Sequence, residues 1–291
     1  MTERALASPP AMLPLFLRAG AALVPGASAL PFIAGGGKEM PDLELVLTDV
    51  EVDRDRLAAY DRVCGFSLRD ELPSTFVHVL AFPLHLALMT DGSFPFPAVG
   101  LVHIENRITQ HRPARLGERL SIRVRATGLE PHPRGTQFSV LSEAWVGQEL
   151  VWEEVSVNLR RGSGKSTAGA GGVESAPADS TTTAEWRLPG DLGRRYASVS
   201  GDHNPIHIHP LTAKLFGFPS AIAHGMWTKA RCLAALENRL GDAYTVEVAF
   251  KRPILLPGKV AFGELDSGDG EISFAVRDAR KGTSHLVGAV S

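Results

Sequence analysis

Cysteine, net charge and long apolar runs are all scarce in this chain, and each shortage excludes something. Only Cys64 and Cys232 occur among 291 residues. Both lie in stretches that read as packed elements, which argues against a disulfide framework and suits a reducing compartment. The formal net charge is −2, so no global basic field is offered to nucleic acid or to an acidic membrane surface. Any anionic ligand has to be met by local Lys or Arg. No stretch approaches the ~20 consecutive apolar residues of a membrane span.

Two further patterns fall short of known sites. His203, His207 and His209 are neighbours, but their spacing is not that of a zinc site and no carboxylates cluster with them, so no metal is expected. The run Gly162-Ser-Gly-Lys-Ser-Thr167 looks like a phosphate loop. It lacks the first glycine at the required distance and a preceding strand that leads into a helix, and nucleotide binding is not expected there.

What is present suits an enzyme with a full core: 44% of residues are hydrophobic and 21% charged, and the length allows one large domain or two small ones. Near the start, Ala11 to Val24 is apolar and precedes Gly26-Ala-Ser-Ala29, small residues at a spacing that would suit signal cleavage. Pro14 and Arg18 interrupt the run and Glu3 offsets Arg4, so the expectation is an amphipathic arm packed on the body of a cytoplasmic protein.

Arg161 to Thr183 is small, polar and glycine-rich. It reads as a flexible linker over 161–183 between a first half, 1–160, and a second half, 184–291. The halves repeat each other. Leu57-Ala-Ala-Tyr-Asp-Arg-Val-Cys-Gly65 parallels Gly193-Arg-Arg-Tyr-Ala-Ser-Val-Ser-Gly201, and His111-Arg-Pro parallels Lys251-Arg-Pro. Between these anchors the first half is four residues shorter, and on that offset Pro83 falls opposite Ala223, at the start of the matching helix. In the second half Ile222, Met226, Ala230, Leu233, Leu236 and Leu240 make one apolar helical stripe that Gly241 ends. Tyr244 to Lys251 alternates as a strand, and 258–266, 271–278 and 283–290 follow as further strands. One helix and a run of antiparallel strands make each half α+β.

The densest chemistry lies at Ser198-Val-Ser-Gly-Asp-His-Asn-Pro-Ile-His207 and Ala223-His-Gly-Met226. Pro205 separates Asp202 from His207, so the segment is expected to run as a tight irregular loop that turns both side chains the same way. Gly225 falls in the first turn of the helix, where backbone N–H groups lack intrahelical partners and the macrodipole is positive. An acid, an imidazole and a free amide are the parts needed to move a proton and hold an enolate. Taken singly, Asp202 and Asn204 are turn residues that bond their own backbone, and His207 is a satisfied loop histidine. The ordered set favours chemistry.

These two stretches resemble the motif of MaoC-like dehydratases, the hydratase-2 family of (R)-specific enoyl-thioester hydratases. The motif itself covers about a tenth of the chain, and a weaker likeness extends over both halves. The resemblance implies a double hot-dog fold: two antiparallel sheets, each wrapping a central helix, paired side by side. It implies that Asp202 and His207 activate water, that the Gly225 amide holds the oxyanion and that Asn204 orients them. Trans-2-enoyl and (R)-3-hydroxyacyl thioesters of coenzyme A or of acyl-carrier protein are then substrates, with no cofactor. Tyr196, Lys251 and Arg252 are the expected substrate contacts, and Arg115 joins the two basic residues as a candidate for the carrier's phosphates. The first half, with no Asp-x-Asn-Pro-x-His of its own, is expected to open an acyl tunnel lined by apolar residues of Leu72 to Met89. A monomeric pseudo-dimer or a homodimer fits this plan. A thioesterase on the same fold and a non-catalytic acyl-binding module are the alternatives, since fold alone fixes neither.

Overall fold

The alternation that marks Tyr244 to Phe250 as a strand puts Val246 and Val248 in the core, and this strand is one of two at the middle of the molecule. The structure is a computed structural model describing residues 1–22, 33–35, 37, 39–162, 181–268 and 270–291. In the first half the elements are β1 (Thr2–Leu6), α1 (Met12–Ala21), β2 (Leu43–Val50), α2 (Arg54–Cys64), α3 (Ser74–Met89), β3 (Leu101–Gln110), β4 (Leu120–His132), β5 (Gly135–Val146) and β6 (Glu149–Arg161). The second half has β7 (Thr181–Leu188), α4 (Leu192–Ser200), α5 (Pro205–Ile208), α6 (Pro210–Leu215), α7 (Gly225–Leu236), β8 (Tyr244–Phe250), β9 (Gly258–Asp266), β10 (Ile272–Asp278) and β11 (Ser284–Val290).

These strands form one sheet in the order β1-β2-β4-β5-β6-β3-β8-β11-β10-β9-β7. Strands β3 and β8 pair antiparallel at the centre, with Ile108 opposite Val246. Outward from that pair, β6-β5-β4-β2 on one side mirrors β11-β10-β9-β7 on the other. The expected double hot-dog is therefore present, with its two sheets fused edge to edge, which leaves no open edge between halves. The added β1 lies parallel to β2.

Helices α3 and α7 supply the core of each half. Twelve of the sixteen residues of α3 are buried, and α7 buries Met226, Ala230, Leu233 and Leu236. Each such Leu contributes about 1.5–3 kcal/mol by leaving water. The expected stripe is right over Met226 to Leu236. Ile222 instead precedes the helix, bridging Leu255, and a 3-10 turn over Glu237–Arg239 follows it.

The repeat is visible in backbone detail. Helices α2 and α4 both end at a left-handed glycine, Gly65 and Gly201, with φ of 88° and 81°. The rings of Tyr60 and Tyr196 face each other with centroids 6.1 Å apart. Leu72 donates its N–H to Ala114 at 2.8 Å as Ala223 does to Ile254 at 2.9 Å, and the bridge Glu71–Arg115 repeats as Ile222–Leu255. Ser74 is thus the counterpart of Gly225. The expected match of Pro83 with Ala223 is wrong, because Pro83 lies inside α3. The four-residue difference is a net figure that hides a large loss before the first-half helix and a partial gain after it. Only seven positions lead from Gly65 to Leu72, against twenty-two from Gly201 to Ala223.

Strand β6 reaches Arg161 and β7 starts at Thr181, so the expected linker is shortened at both ends; 163–180 lies outside the described residues. Helix α1 buries Leu15 and Ala19 while Leu13 and Leu17 remain exposed, the packed amphipathic arm expected of this stretch. The suspected cleavage residues 26–29 lie outside the described residues. Among the described residues, no helix is long and apolar enough to cross a membrane. Cys64 and Cys232 are both buried and free.

Candidate active site

Pro205 starts a helical turn instead of forcing an irregular loop. It occupies the first position of α5, where its missing N–H costs nothing, and Asn204 caps the turn by accepting from Ile206 N–H at 3.4 Å. Asn204 thus uses its side-chain oxygen as the cap. Its backbone N–H, at 3.1 Å, is what holds Asp202 Oδ1. Asp202 is further fixed by its own N–H on Ser200 Oγ at 3.2 Å.

His207 sits two residues into the same turn, and the turn is stitched to the segment before α7 by Ile222 N–H on the Ile206 carbonyl at 3.1 Å. Close packing against α4 is possible because residue 193 is glycine: a Cβ there would overlap the His207 carbonyl oxygen. The His207 ring places Nδ1 2.8 Å from the Ile222 carbonyl. A carbonyl only accepts, so Nδ1 carries the proton and Nε2 keeps the lone pair. Burial draws the His207 pKa below its ordinary 6.5, against the opposing pull of Asp202.

His224, named in the motif without a role, turns out to organise the site. Its ring stacks on His207 with centroids 3.7 Å apart and lies 4.8 Å from the Tyr196 ring. Its Nε2–H donates to the Asp202 carbonyl at 3.0 Å. Burial, aided by His207, pushes its pKa to about 3, which keeps the ring neutral. A donor atom from each of Asp202, His207 and His224 falls within a 4.8 Å cluster; two of the four ring nitrogens are committed to backbone carbonyls. Tyr196 is buried with its hydroxyl unpartnered and lines the cavity beside the motif.

Gly225 is the first residue of α7, so its N–H has no partner in the helix ladder, and the residue lines the cavity. A Cβ at this position would come within 3.0–3.3 Å of the Phe250 ring. Asp202, His207 and Gly225 thus line one cavity of about 390 Å³. In the first half the matching position, Ser74, is filled: its carbonyl accepts from Trp152 Nε1 at 2.9 Å and its hydroxyl from Tyr244 at 2.8 Å.

A family model described as "MaoC like domain" matches residues 173–288. The 3-hydroxyacyl-thioester dehydratase X of Mycobacterium tuberculosis is 36% identical over 268 residues, covering 91% of this chain and 94% of that protein. The chain belongs to the MaoC-like dehydratase family. The crystal structure of M. tuberculosis HtdX superposes with a TM-score of 0.75 at 37% identity, over 85% of this chain and 98% of the other. A further M. tuberculosis protein, described as a double hotdog fold, matches at TM-score 0.56 and 14% identity over 88% of this chain and 98% of its own, which supports the fold alone. This MaoC-like chain is an enzyme of the hydro-lyase type.

The remaining expected contacts separate. Lys251 and Arg252 follow β8 at the mouth of the cavity, and Arg134 and Arg161 of the first half join them there. Arg115 does not: it pairs with Glu71 at 2.7 Å, away from the cavity lining. The expected apolar tunnel is only partly right. Val79, Phe82, Leu86 and Met89 line the cavity from α3, but so do His78 and His85, while Leu72, Phe76 and Leu80 belong to the core. A buried polar cluster lies behind them, which the sequence reading missed. Its only sequence signal is the pair of imidazoles seven positions apart in an otherwise apolar helix.

Proposed function

We propose that the chain catalyses the reversible hydration of trans-2-enoyl thioesters to (R)-3-hydroxyacyl thioesters in fatty-acid metabolism. The observation that carries this reading is the convergence of Asp202, the free His207 Nε2 and the Gly225 amide on one cavity. In the dehydration direction the acid and imidazole remove a C2 proton and return one to the departing C3 hydroxyl, which leaves as water. Neutral His207 is the proton carrier and Asp202 holds the water. The Gly225 N–H holds the thioester oxygen while it carries the enolate charge. No cofactor or metal enters this scheme.

The pH dependence follows from the imidazoles. Protonating His207 removes the base, and its pKa lies below the ordinary 6.5, so the acid limb of kcat/KM for dehydration is expected below pH 6.5. His224 at about 3, His103 at about 3 and His85 at about 4 are also depressed, each mainly by burial. Depressed folded-state values mean that the unfolded chain binds more protons in this range. The part of the stability that these histidines supply is then full above about pH 6.5 and is lost as pH falls toward 4. Chemical denaturation at stepped pH measures this loss, and a midpoint that stays constant from pH 7 to pH 4 would contradict it.

The carrier is a phosphorylated pantetheine arm, of coenzyme A or of acyl-carrier protein, met at the mouth by Lys251 and Arg252. Replacing both by Ala is expected to raise KM several-fold and to flatten its salt dependence, with kcat little changed. A salt-dependent KM indifferent to both substitutions would remove them from the site. One chain holds both halves, so a monomeric pseudo-dimer suffices for turnover and a homodimer is not required. We place the protein in the cytoplasm; N-terminal sequencing of the native protein that begins near Leu30 would overturn that placement.

The test of the function is stereochemical: water addition to enoyl thioesters of graded chain length, with the hand of the product determined. An (R)-3-hydroxyacyl product supports the reading. Release of free thiol would mean a thioesterase, and tight binding without turnover would mean an acyl-binding module.

A further inference from the structure

The cavity wall supplied by the first half is polar where an acyl tunnel needs only hydrocarbon. On the inner face of β6, Glu154 and Ser156 are buried and Asn158 lines the cavity beside Ser156. Glu154 accepts from His78 Nδ1 at 2.8 Å and from Asn106 Nδ2 at 2.5 Å, and Asn106 also reaches Ser156 Oγ at 3.0 Å. Lys229 of α7 joins from the catalytic half, bonding the Asn106 side chain and, at 3.2 Å, the Val246 carbonyl. Burial opposes the charge on Glu154, yet His78, His85 and Asn106 hold its carboxyl well below the usual range.

The cluster is complete in itself except at its edge on the cavity. His78, His85 and Glu154 bring three donor atoms within 4.8 Å, but Glu154 already accepts from His78 and Asn106, so the group is a hydrogen-bonded network and not an open metal cage. His103 is different. Its Nε2 is shut off from solvent and has no hydrogen-bond partner, and its ring packs on Phe250 at 4.9 Å. Phe250 is also the ring against which Gly225 lies. One aromatic ring therefore separates the oxyanion amide from an unpartnered imidazole nitrogen. A buried polar atom left without a partner is costly, and a ligand that satisfies it gains by the same amount.

We propose that this wall selects acyl chains bearing a neutral oxygen function, a hydroxyl or a keto group, a few carbons beyond the enoyl unit, and that His103 Nε2 and Ser156 Oγ are its partners. Glu154 beneath the wall disfavours a carboxylate at the same place. The inference rests on the hydratase reading and adds a substrate class to it. A purely hydrocarbon chain would leave the His103 nitrogen unpaired, whereas an apolar tunnel would have no reason to prefer the oxygenated chain.

The test compares enoyl-CoA thioesters of fixed length, each with a hydroxyl or keto group at one of the successive carbons beyond the double bond, with their methylene parents. For one position, the oxygenated chain is expected to be favoured at least about tenfold in kcat/KM, the worth of one well-made hydrogen bond in a closed site. His103→Phe, which keeps the ring on Phe250, and Ser156→Ala, which removes only a hydroxyl, are each expected to bring that ratio toward one. A wild-type ratio of one at every position overturns the proposal while leaving the hydratase reading intact. Equal losses on both chains in His103→Phe also overturn it, since the wall would then serve the carrier arm. Absence of turnover on every chain would instead be a failure of the hydratase reading.

Discussion

Asp202→Asn and His207→Ala are each expected to lower kcat for enoyl-thioester hydration by about 10²–10⁴, the range supplied by a positioned acid or base. The Asn variant is the sharper of the two. It keeps an oxygen that can accept from the Asn204 N–H, which holds Asp202 Oδ1 at 3.1 Å, so the loop stays in place while the acid is lost. His207→Ala removes the Nδ1 bond to Ile222, at 2.8 Å, together with the stack on His224, at 3.7 Å, so its thermal unfolding has to be followed beside its kinetics. Because the two groups act as a unit, the double variant should lose little more than the worse single one. Steady-state rates on a crotonyl or longer enoyl thioester measure this. Full activity in both single variants would sink the mechanism.

Blocking the amide is the other large effect. Gly225→Val is expected to cost about 10²–10³ in kcat, the loss usually seen when one oxyanion donor is removed. The physical reason is the Phe250 ring, 3.0–3.3 Å from where a Cβ would stand. An added side chain must push either the ring or the first turn of α7, and where the ring does not yield the turn moves and displaces the amide from the thioester oxygen. Gly225→Ala should lose less. Combining it with Phe250→Leu should restore part of the rate, because the smaller side chain makes room. A double-mutant cycle reads this coupling directly, and additive losses would show that the ring is not what crowds the amide.

The pair of halves explains why there is one site and not two. Ser74 occupies the place of Gly225, and its hydroxyl and carbonyl are already bonded to Tyr244 and Trp152. The short passage from Gly65 to Leu72 has no room for an equivalent of the Asp202–His207 turn.

Much of this was legible in the sequence because the deciding interactions are local. The glycines paired after Tyr60 and Tyr196, the apolar stripe where it runs from Met226 to Leu236 and the alternating strands β8 to β11 each follow from contacts a few residues apart. That Asp202, His207 and Gly225 line one cavity was legible for the same reason: a cap, a turn and a helix start fix their backbone within one segment. Pro205 was misread because the same residue that breaks a helix interior is favoured at its first position, and only Asn204 acting as a cap settles which applies.

What the sequence left open was decided across the sheet. In β6 an alternation rule would put Val155 and Val157 inward, yet Glu154 and Ser156 are the buried residues. Their burial is stable only because Asn106 from β3 and His78 from α3 arrive to satisfy them while Lys229 from α7 holds Asn106, and no local pattern reveals partners 48 to 123 positions away. The packing of His103 of β3 on Phe250 of β8 likewise exists only once these two strands pair, and the ring of Phe250 meets Gly225 only when α7 packs on β8. The sequence by itself determined that an acid, a base and an amide would meet. The fused sheet decided what surrounds them, since the polarity of that wall depends on long-range neighbours.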